Sequence, residues 1–138
     1  MTSVVREVTI DAPAADCWLA LRDFSALHER LVPGFVTGAR MVGEREREVT
    51  FSSGAVAREY LIGSDDSTMR LAYTVTDSPM GSSHHNASAQ IVSEENGSCR
   101  FVWVTDVLPD SIAGRTADLM EAGLRVIKAT LERDVIRS

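Results

Sequence analysis

The sequence has few of the features that mark specialised protein classes. It contains two cysteines, four prolines and no apolar run near the roughly 18 residues that a membrane span requires. No apolar segment follows a basic N-terminus, so neither a signal peptide nor a membrane span is expected. Cys17 and Cys99 fit a reducing compartment as small buried apolar side chains. We therefore expect a cytoplasmic protein.

Positive charge is also scarce. Acidic residues outnumber basic ones by 20 to 14, which gives a net charge of −6 and argues against nucleic acid or an anionic membrane as partner. The alternating charges of residues 44–48 are interpreted as a solvated hairpin. No nucleophile elbow, phosphate loop or Cys-x-x-Cys motif occurs, and nothing indicates ATP, NAD or haem. We expect neither a cofactor nor a metal.

The order of the predicted elements indicates one α+β domain over residues 1–138. A first strand at 4–10 is followed by a helix with Pro13 at its first position and by a second short helix capped by Ser25. Short turns connect the next segments, so they are expected to be antiparallel neighbours. The six further predicted strands are 35–42, 46–52, 56–62, 69–76, 84–92 and 100–108.

A long amphipathic helix is predicted over residues 111–134. Its apolar stripe has three small residues at heptad spacing along the centre, Thr116, Gly123 and Thr130. Small residues there leave room for a ligand, or for bulky side chains from the opposite wall. Because only this helix is large enough to cover the sheet, the sheet must curve around it. Any space between them becomes a pocket.

Several segments, taken in order, resemble the polyketide cyclase/dehydrase and START-like superfamily, whose fold is called helix-grip or Bet v 1-like. Residues 10–18, IDAPAADCW, resemble the opening strand and helix of that superfamily. Residues 58–61, REYL, and 71–75, LAYTV, resemble its middle strands, and residues 101–103, FVW, a late strand. The resemblance implies a curved antiparallel sheet of about seven strands on a C-terminal helix. It leaves function open, since members include cyclases and lipid carriers.

Two ionisable residues are candidates for pocket chemistry. His85 shares strand parity with Ala87 and Ala89, so it is expected to face the pocket while His84 faces solvent. Small members of the superfamily often carry a tyrosine after the mobile loop of residues 77–83, and a histidine stands there instead. The resemblance favours Glu59 facing inward, where a buried carboxylate needs a partner such as His85. Alternatively, Glu59 forms an ordinary cross-strand salt bridge.

The remaining candidates form a mostly apolar wall. Tyr73 is either a hydroxyl donor to a ligand or a core residue, and Met80 belongs to a loop interpreted as a gate. The residues predicted to contact a ligand are Glu59, Tyr73, Val75, Met80, His85, Thr116, Met120, Gly123 and Ile127. The catalytic candidates are His85, Glu59 and Tyr73.

Three hypotheses about function follow from the sequence. The first is a carrier or sensor that binds a small apolar or aromatic metabolite or a lipid in the cavity. The second is a cyclase or dehydratase that uses the pocket histidine, glutamate and tyrosine. The third is a protein-interaction module whose pocket is filled by aromatic side chains. A homodimer is left open.

Overall fold

The structure is a computed structural model that describes residues 1–137, with side chains described up to residue 134. Seven strands and two α-helices make up most of the chain. Short helical turns lie at Phe24–Ala26, Leu27–Leu31 and Asp110–Ile112. The strands and helices are β1 (Thr2–Ile10), α1 (Ala14–Arg22), β2 (Val36–Met41), β3 (Glu46–Phe51), β4 (Val56–Asp65), β5 (Arg70–Asp77), β6 (His84–Ser93), β7 (Cys99–Leu108) and α2 (Ala113–Arg137).

The seven strands form one antiparallel sheet in the order β1-β7-β6-β5-β4-β3-β2. Strands β2 to β7 are each joined to the next by a turn or loop, so consecutive strands lie side by side. Only β1 is displaced in sequence, because α1 and the two short helical turns that follow it carry the chain to the far edge. The predicted α+β architecture is confirmed.

Irregular pairing bends the sheet near its β2–β5 end. The register shifts once between β2 and β3 and twice between β4 and β5, at Arg58/Glu59 and at Leu61/Gly63. A bulge of this kind bends its strand and increases the local twist. The sheet therefore curves around a concave face, as the sequence predicts.

Polar contacts fix α2 along the β1 edge of the sheet. Arg6 Nε donates to Glu121 Oε1 at 2.9 Å, and Lys128 Nζ donates to the carbonyl oxygen of Thr9 at 2.7 Å. The backbone N–H of Asp11 donates to Glu132 at 2.8 Å. These bonds hold the polar side of α2 outward and turn its apolar stripe toward the concave face. Among the described residues no helix is long and apolar enough to cross a membrane.

The two cysteines are buried, as the sequence predicts, and lie on opposite sides of a packing contact between α1 and β7. The Cys17 and Cys99 sulfur atoms are 3.6 Å apart and both thiols are free. Burial raises the pKa of both thiols, and the neighbouring sulfur adds to the effect at Cys17. Both therefore act as small apolar side chains in the core.

Candidate functional site

A cavity of about 370 Å³ lies between the concave face of the sheet and α2. Most of its walls are apolar, with aromatic rings from several elements. Eight of the nine residues that the sequence predicts as ligand contacts line it: Glu59, Tyr73, Val75, Met80, His85, Thr116, Met120 and Ile127. The structure thus brings these side chains together, and their binding of a ligand stays a prediction.

Gly123 is the ninth predicted contact, and it does not line the cavity. A Cβ atom at this position would lie 3.2 Å from Cζ3 of Trp103 and 3.7 Å from Cε1 of Phe35. The space beside this glycine is therefore filled by bulky side chains from the opposite wall. Of the three small residues in the stripe, Thr116 alone is among the lining residues, and Thr130 is buried away from the cavity.

A buried ion pair joins the walls formed by β3 and β4. Arg47 is 5% exposed and Glu59 is 7% exposed, and the two are directly opposite each other in the strand register. Arg47 Nε and Nη2 lie 2.8 and 2.7 Å from Glu59 Oε1, while Nη1 donates to the carbonyl oxygen of Phe24 at 3.0 Å. The guanidinium carbon also lies 3.7 Å from the centre of the Phe24 ring. Arg47 is thus matched on several sides.

The partner of Glu59 differs from the sequence expectation. Arg47, and not His85, pairs with the carboxylate. The interpretation of residues 44–48 as a solvated hairpin is therefore wrong for Arg47. The signal was present in the parity of β3, because Arg47 alternates into the same face as the buried Val49. The charge of Arg47 favours exposure to solvent, and the ion pair with Glu59 on the neighbouring strand outweighs that preference.

The inward direction of Glu59 was ambiguous because the outer face of β4 is also apolar. Val56, Tyr60 and Ile62 are all more than 40% exposed, so an apolar side chain does not mark the buried face of this strand. Ala57 and Glu59 point inward instead. Arg58 points outward, where it lies 3.6 Å from Glu46 and from Glu48.

Glu59 also acts electrostatically on two other candidates. Burial raises the pKa of Tyr73 well above its usual range, and the Glu59 carboxylate adds to this effect, opposed by the Arg47 guanidinium. Burial lowers the pKa of His85, whereas Glu59 acts in the opposite direction. Tyr73 is therefore a neutral phenol and His85 a neutral imidazole at pH 7. The Glu59 carboxylate thus influences the pKa of the two other catalytic candidates, Tyr73 and His85.

Two polar nitrogens near the cavity have no hydrogen-bond partner among the described residues. They are Nδ1 of His85 and Nε1 of Trp103, and both atoms are buried. A buried polar atom without a partner is uncommon in folded proteins. His85 and Trp103 both line the cavity, so two nitrogen atoms that can form hydrogen bonds lie beside it without a partner among the described residues. Trp103 is not among the ligand contacts that the sequence predicts.

The loop after β5 and the start of α2 both line the cavity. Ser78, Pro79 and Met80 line the cavity on one side, and Arg115 and Thr116 line it on the other. The Thr116 hydroxyl donates to the carbonyl oxygen of Ile112 at 2.9 Å and lies 3.4 Å from Met80 Sδ. Met80, in the loop interpreted as a gate, thus contacts α2 through a weak sulfur interaction.

No group of three or more His, Cys, Asp or Glu residues within the described part of the chain is arranged to hold a metal ion. His84 and His85 project to opposite faces of β6, and only His85 lines the cavity.

Comparison with known sequences identifies the family. The profile of the family described as polyketide cyclase/dehydrase and lipid transport matches residues 1–133. The chain belongs to this family. The resemblance that the sequence shows to its START-like members is confirmed. No curated protein gives a match.

Solved structures show the same fold. A solution NMR structure of a Thermobifida fusca protein is 27% identical over 96% of this chain and 91% of that one, with a TM-score of 0.76. A START superfamily protein from Mycobacterium smegmatis is 15% identical over 90% and 96% of the two chains, with a TM-score of 0.69. Norcoclaurine synthase from Thalictrum flavum, in complex with dopamine and hydroxybenzaldehyde, is 16% identical over 99% and 87%, with a TM-score of 0.74.

The buried ion pair makes a prediction about stability. Glu59→Gln leaves the Arg47 charge buried without a carboxylate, so the free energy of unfolding should fall by about 3–5 kcal/mol in urea denaturation. Glu46→Gln is the matched control, because Glu46 lies on the outer face of β3 and its loss should cost less than about 1 kcal/mol. Equal losses in the two variants would contradict the burial of a charged pair.

The lowered pKa of His85 predicts a pH dependence. In the unfolded chain the imidazole has a pKa of about 6.5, so there it takes up a proton more readily than in the folded protein. The free energy of unfolding should therefore fall as the pH drops from 7 toward 5.5. His85→Gln should flatten this dependence in denaturation curves, and His84→Gln should leave it unchanged. An imidazole of His85 that titrates above 6.5 by NMR would show the sign to be wrong.

Proposed function

We propose that this domain binds one small, uncharged apolar or aromatic molecule in the cavity between the sheet and α2. The observation that carries this proposal is the electrostatics of the cavity wall. The two buried charged residues that line it, Arg47 and Glu59, are paired with each other. Arg115, the remaining charged residue of the lining, is exposed, so a charged group in the buried part of the cavity would have to break this pair or remain uncompensated in a region of low polarity. An uncharged ligand requires neither.

The size of the cavity and the family support the same function. Pockets for small molecules measure about 300–1,000 Å³ and are mostly apolar with a few placed polar groups. This cavity of about 370 Å³ falls at the small end of that range. The family description includes lipid transport, and norcoclaurine synthase is in complex with two small aromatic molecules, of which hydroxybenzaldehyde is uncharged and dopamine is an amine. Carrier and sensor roles both fit such a site.

A cavity-filling substitution tests the proposal. Ala57 lines the cavity from β4, whereas its neighbour Val56 is exposed on the outer face of the same strand. Ala57→Phe should weaken binding of the uncharged dye N-phenyl-1-naphthylamine at least about tenfold, because the new ring occupies the space that the dye needs. Val56→Phe should bind the dye like the wild type. Binding is measured by fluorescence titration, and both variants are checked by thermal unfolding.

Failure of the wild type to bind the dye would count against a ligand-binding cavity, as would equal affinity in both variants. An interaction module would be favoured by a pocket filled with aromatic side chains, and the space here is open instead.

An enzyme is a second candidate, and one observation favours it. His85, Tyr73 and Glu59 all line the cavity and Arg47 holds the Glu59 carboxylate, so an imidazole and a phenol share one cavity with an anchored carboxylate. In such a site His85 would accept a proton from carbon next to a ligand carbonyl, while the Tyr73 hydroxyl would donate to the carbonyl oxygen. Cyclases and dehydratases need this type of proton transfer.

Deuterium exchange tests the enzymatic alternative. The aryl-fused ketone 2-tetralone, incubated with the protein in D₂O, should exchange its acidic C–H protons faster than in buffer alone if His85 acts as a base. His85→Gln should remove the acceleration measured by NMR, and His84→Gln should retain it. Exchange at the buffer rate with saturating wild-type protein would leave binding as the function.

A further inference from the structure

The backbone of α2 lies close to the opposite wall at Gly123. An added Cβ atom there would lie 3.2 Å from Cζ3 and 3.6 Å from Cη2 of Trp103, and 3.7 Å from Cε1 of Phe35. Carbon atoms pack best at about 3.5–4.0 Å, so the first of these distances leaves no room for a side chain unless the indole moves. The two rings therefore rest directly on the helix backbone.

These two rings belong to aromatic pairs that line the cavity. Phe35 packs edge to face on Phe51 with 5.9 Å between ring centres, and Trp103 packs in the same way on Phe101 at 6.5 Å. All four side chains are in the cavity wall. The glycine itself is not in the wall. It acts on the cavity through the Trp103 and Phe35 rings, which pack against it.

Helix propensity gives no reason for a glycine at this position. Glycine is among the least favourable residues in the middle of a helix, and Gly123 is near the centre of α2. Gly114 in the same helix has no atom within 4 Å of an added Cβ, so it seats nothing. The contrast shows that the missing side chain matters at one of the two glycines and not at the other.

We infer that Gly123 is a specificity-determining residue that sets the upper size limit of the cavity. Any side chain at this position pushes the Trp103 indole away from the helix and into the space that a ligand would fill, and one larger than alanine also pushes the Phe35 ring. Small aromatic molecules still fit beside the displaced rings, and larger ones do not. The inference rests on the proposed binding function, because it concerns which molecules the same cavity admits.

The test compares two uncharged aromatic probes of different size. N-phenyl-1-naphthylamine is the large probe and 2-naphthol is the small one, each titrated by fluorescence or calorimetry against the wild type, Gly123→Ala, Gly123→Leu and the control Gly114→Ala. The readout is the ratio of the two Kd values, large probe over small. This ratio removes any change in overall affinity that a partly destabilised variant would show for both probes.

Gly123→Leu should raise the ratio at least about tenfold and Gly123→Ala by a smaller factor, whereas Gly114→Ala should leave it unchanged. Trp103→Phe in the Gly123→Leu background should lower the ratio again, since the smaller ring needs less room. If the leucine variant fails to fold, the alanine variant decides. An unchanged ratio in Gly123→Ala with intact wild-type binding would overturn this inference alone. A wild type that binds neither probe would overturn the proposed function and the inference with it.

Discussion

The Arg47–Glu59 ion pair places a strict condition on the inner face of the sheet. Removing two charges from water costs several kcal/mol each, and only close pairing with further hydrogen bonds offsets that cost. The structure meets this condition by placing the two residues opposite each other on β3 and β4. The Arg47 guanidinium also donates a hydrogen bond to the Phe24 carbonyl and stacks on the Phe24 ring. Arg47 therefore connects β3 and β4 to the helical turn after α1 at the wall of the cavity.

The pair also influences the electrostatics of the cavity wall. Glu59 is held by Arg47 and yet acts on Tyr73 and His85, so its charge reaches the cavity although its position is fixed. Burial keeps the imidazole and the phenol neutral. An anchored charge beside two neutral polar groups suits recognition of an uncharged molecule with one or two polar atoms.

Local pattern in the sequence predicts the fold and much of the cavity wall. The alternation of Ala87, Ala89 and Ile91 fixes which face of β6 is buried and so places His85 in the wall. The central stripe of α2 indicates a special contact, but not whether a ligand or a side chain makes it. At Gly123 that depends on where Trp103 and Phe35 lie, and both are far away in sequence.

Arg47 shows the corresponding limit for charged residues. Its parity was readable from β3, but burial of an arginine depends on a partner in another strand, and β4 offered no clear inner face. The direction of a charged side chain is thus decided by pairing across strands, which a single strand's pattern does not contain. Intrinsic preference for solvent was outweighed by a tertiary contact.

The neutrality of the cavity is tested most directly with two dyes of nearly equal shape. N-phenyl-1-naphthylamine is uncharged, and 1-anilinonaphthalene-8-sulfonate adds one sulfonate to the same ring system. A cavity whose buried charges already match each other should bind the uncharged dye at least about tenfold more tightly in parallel fluorescence titrations. Equal or tighter binding of the sulfonate, both in the wild type and in an Arg115→Gln variant that lacks the exposed arginine of the cavity wall, would show that Arg47 is free to receive an anion, and would contradict the central role given to its pair with Glu59.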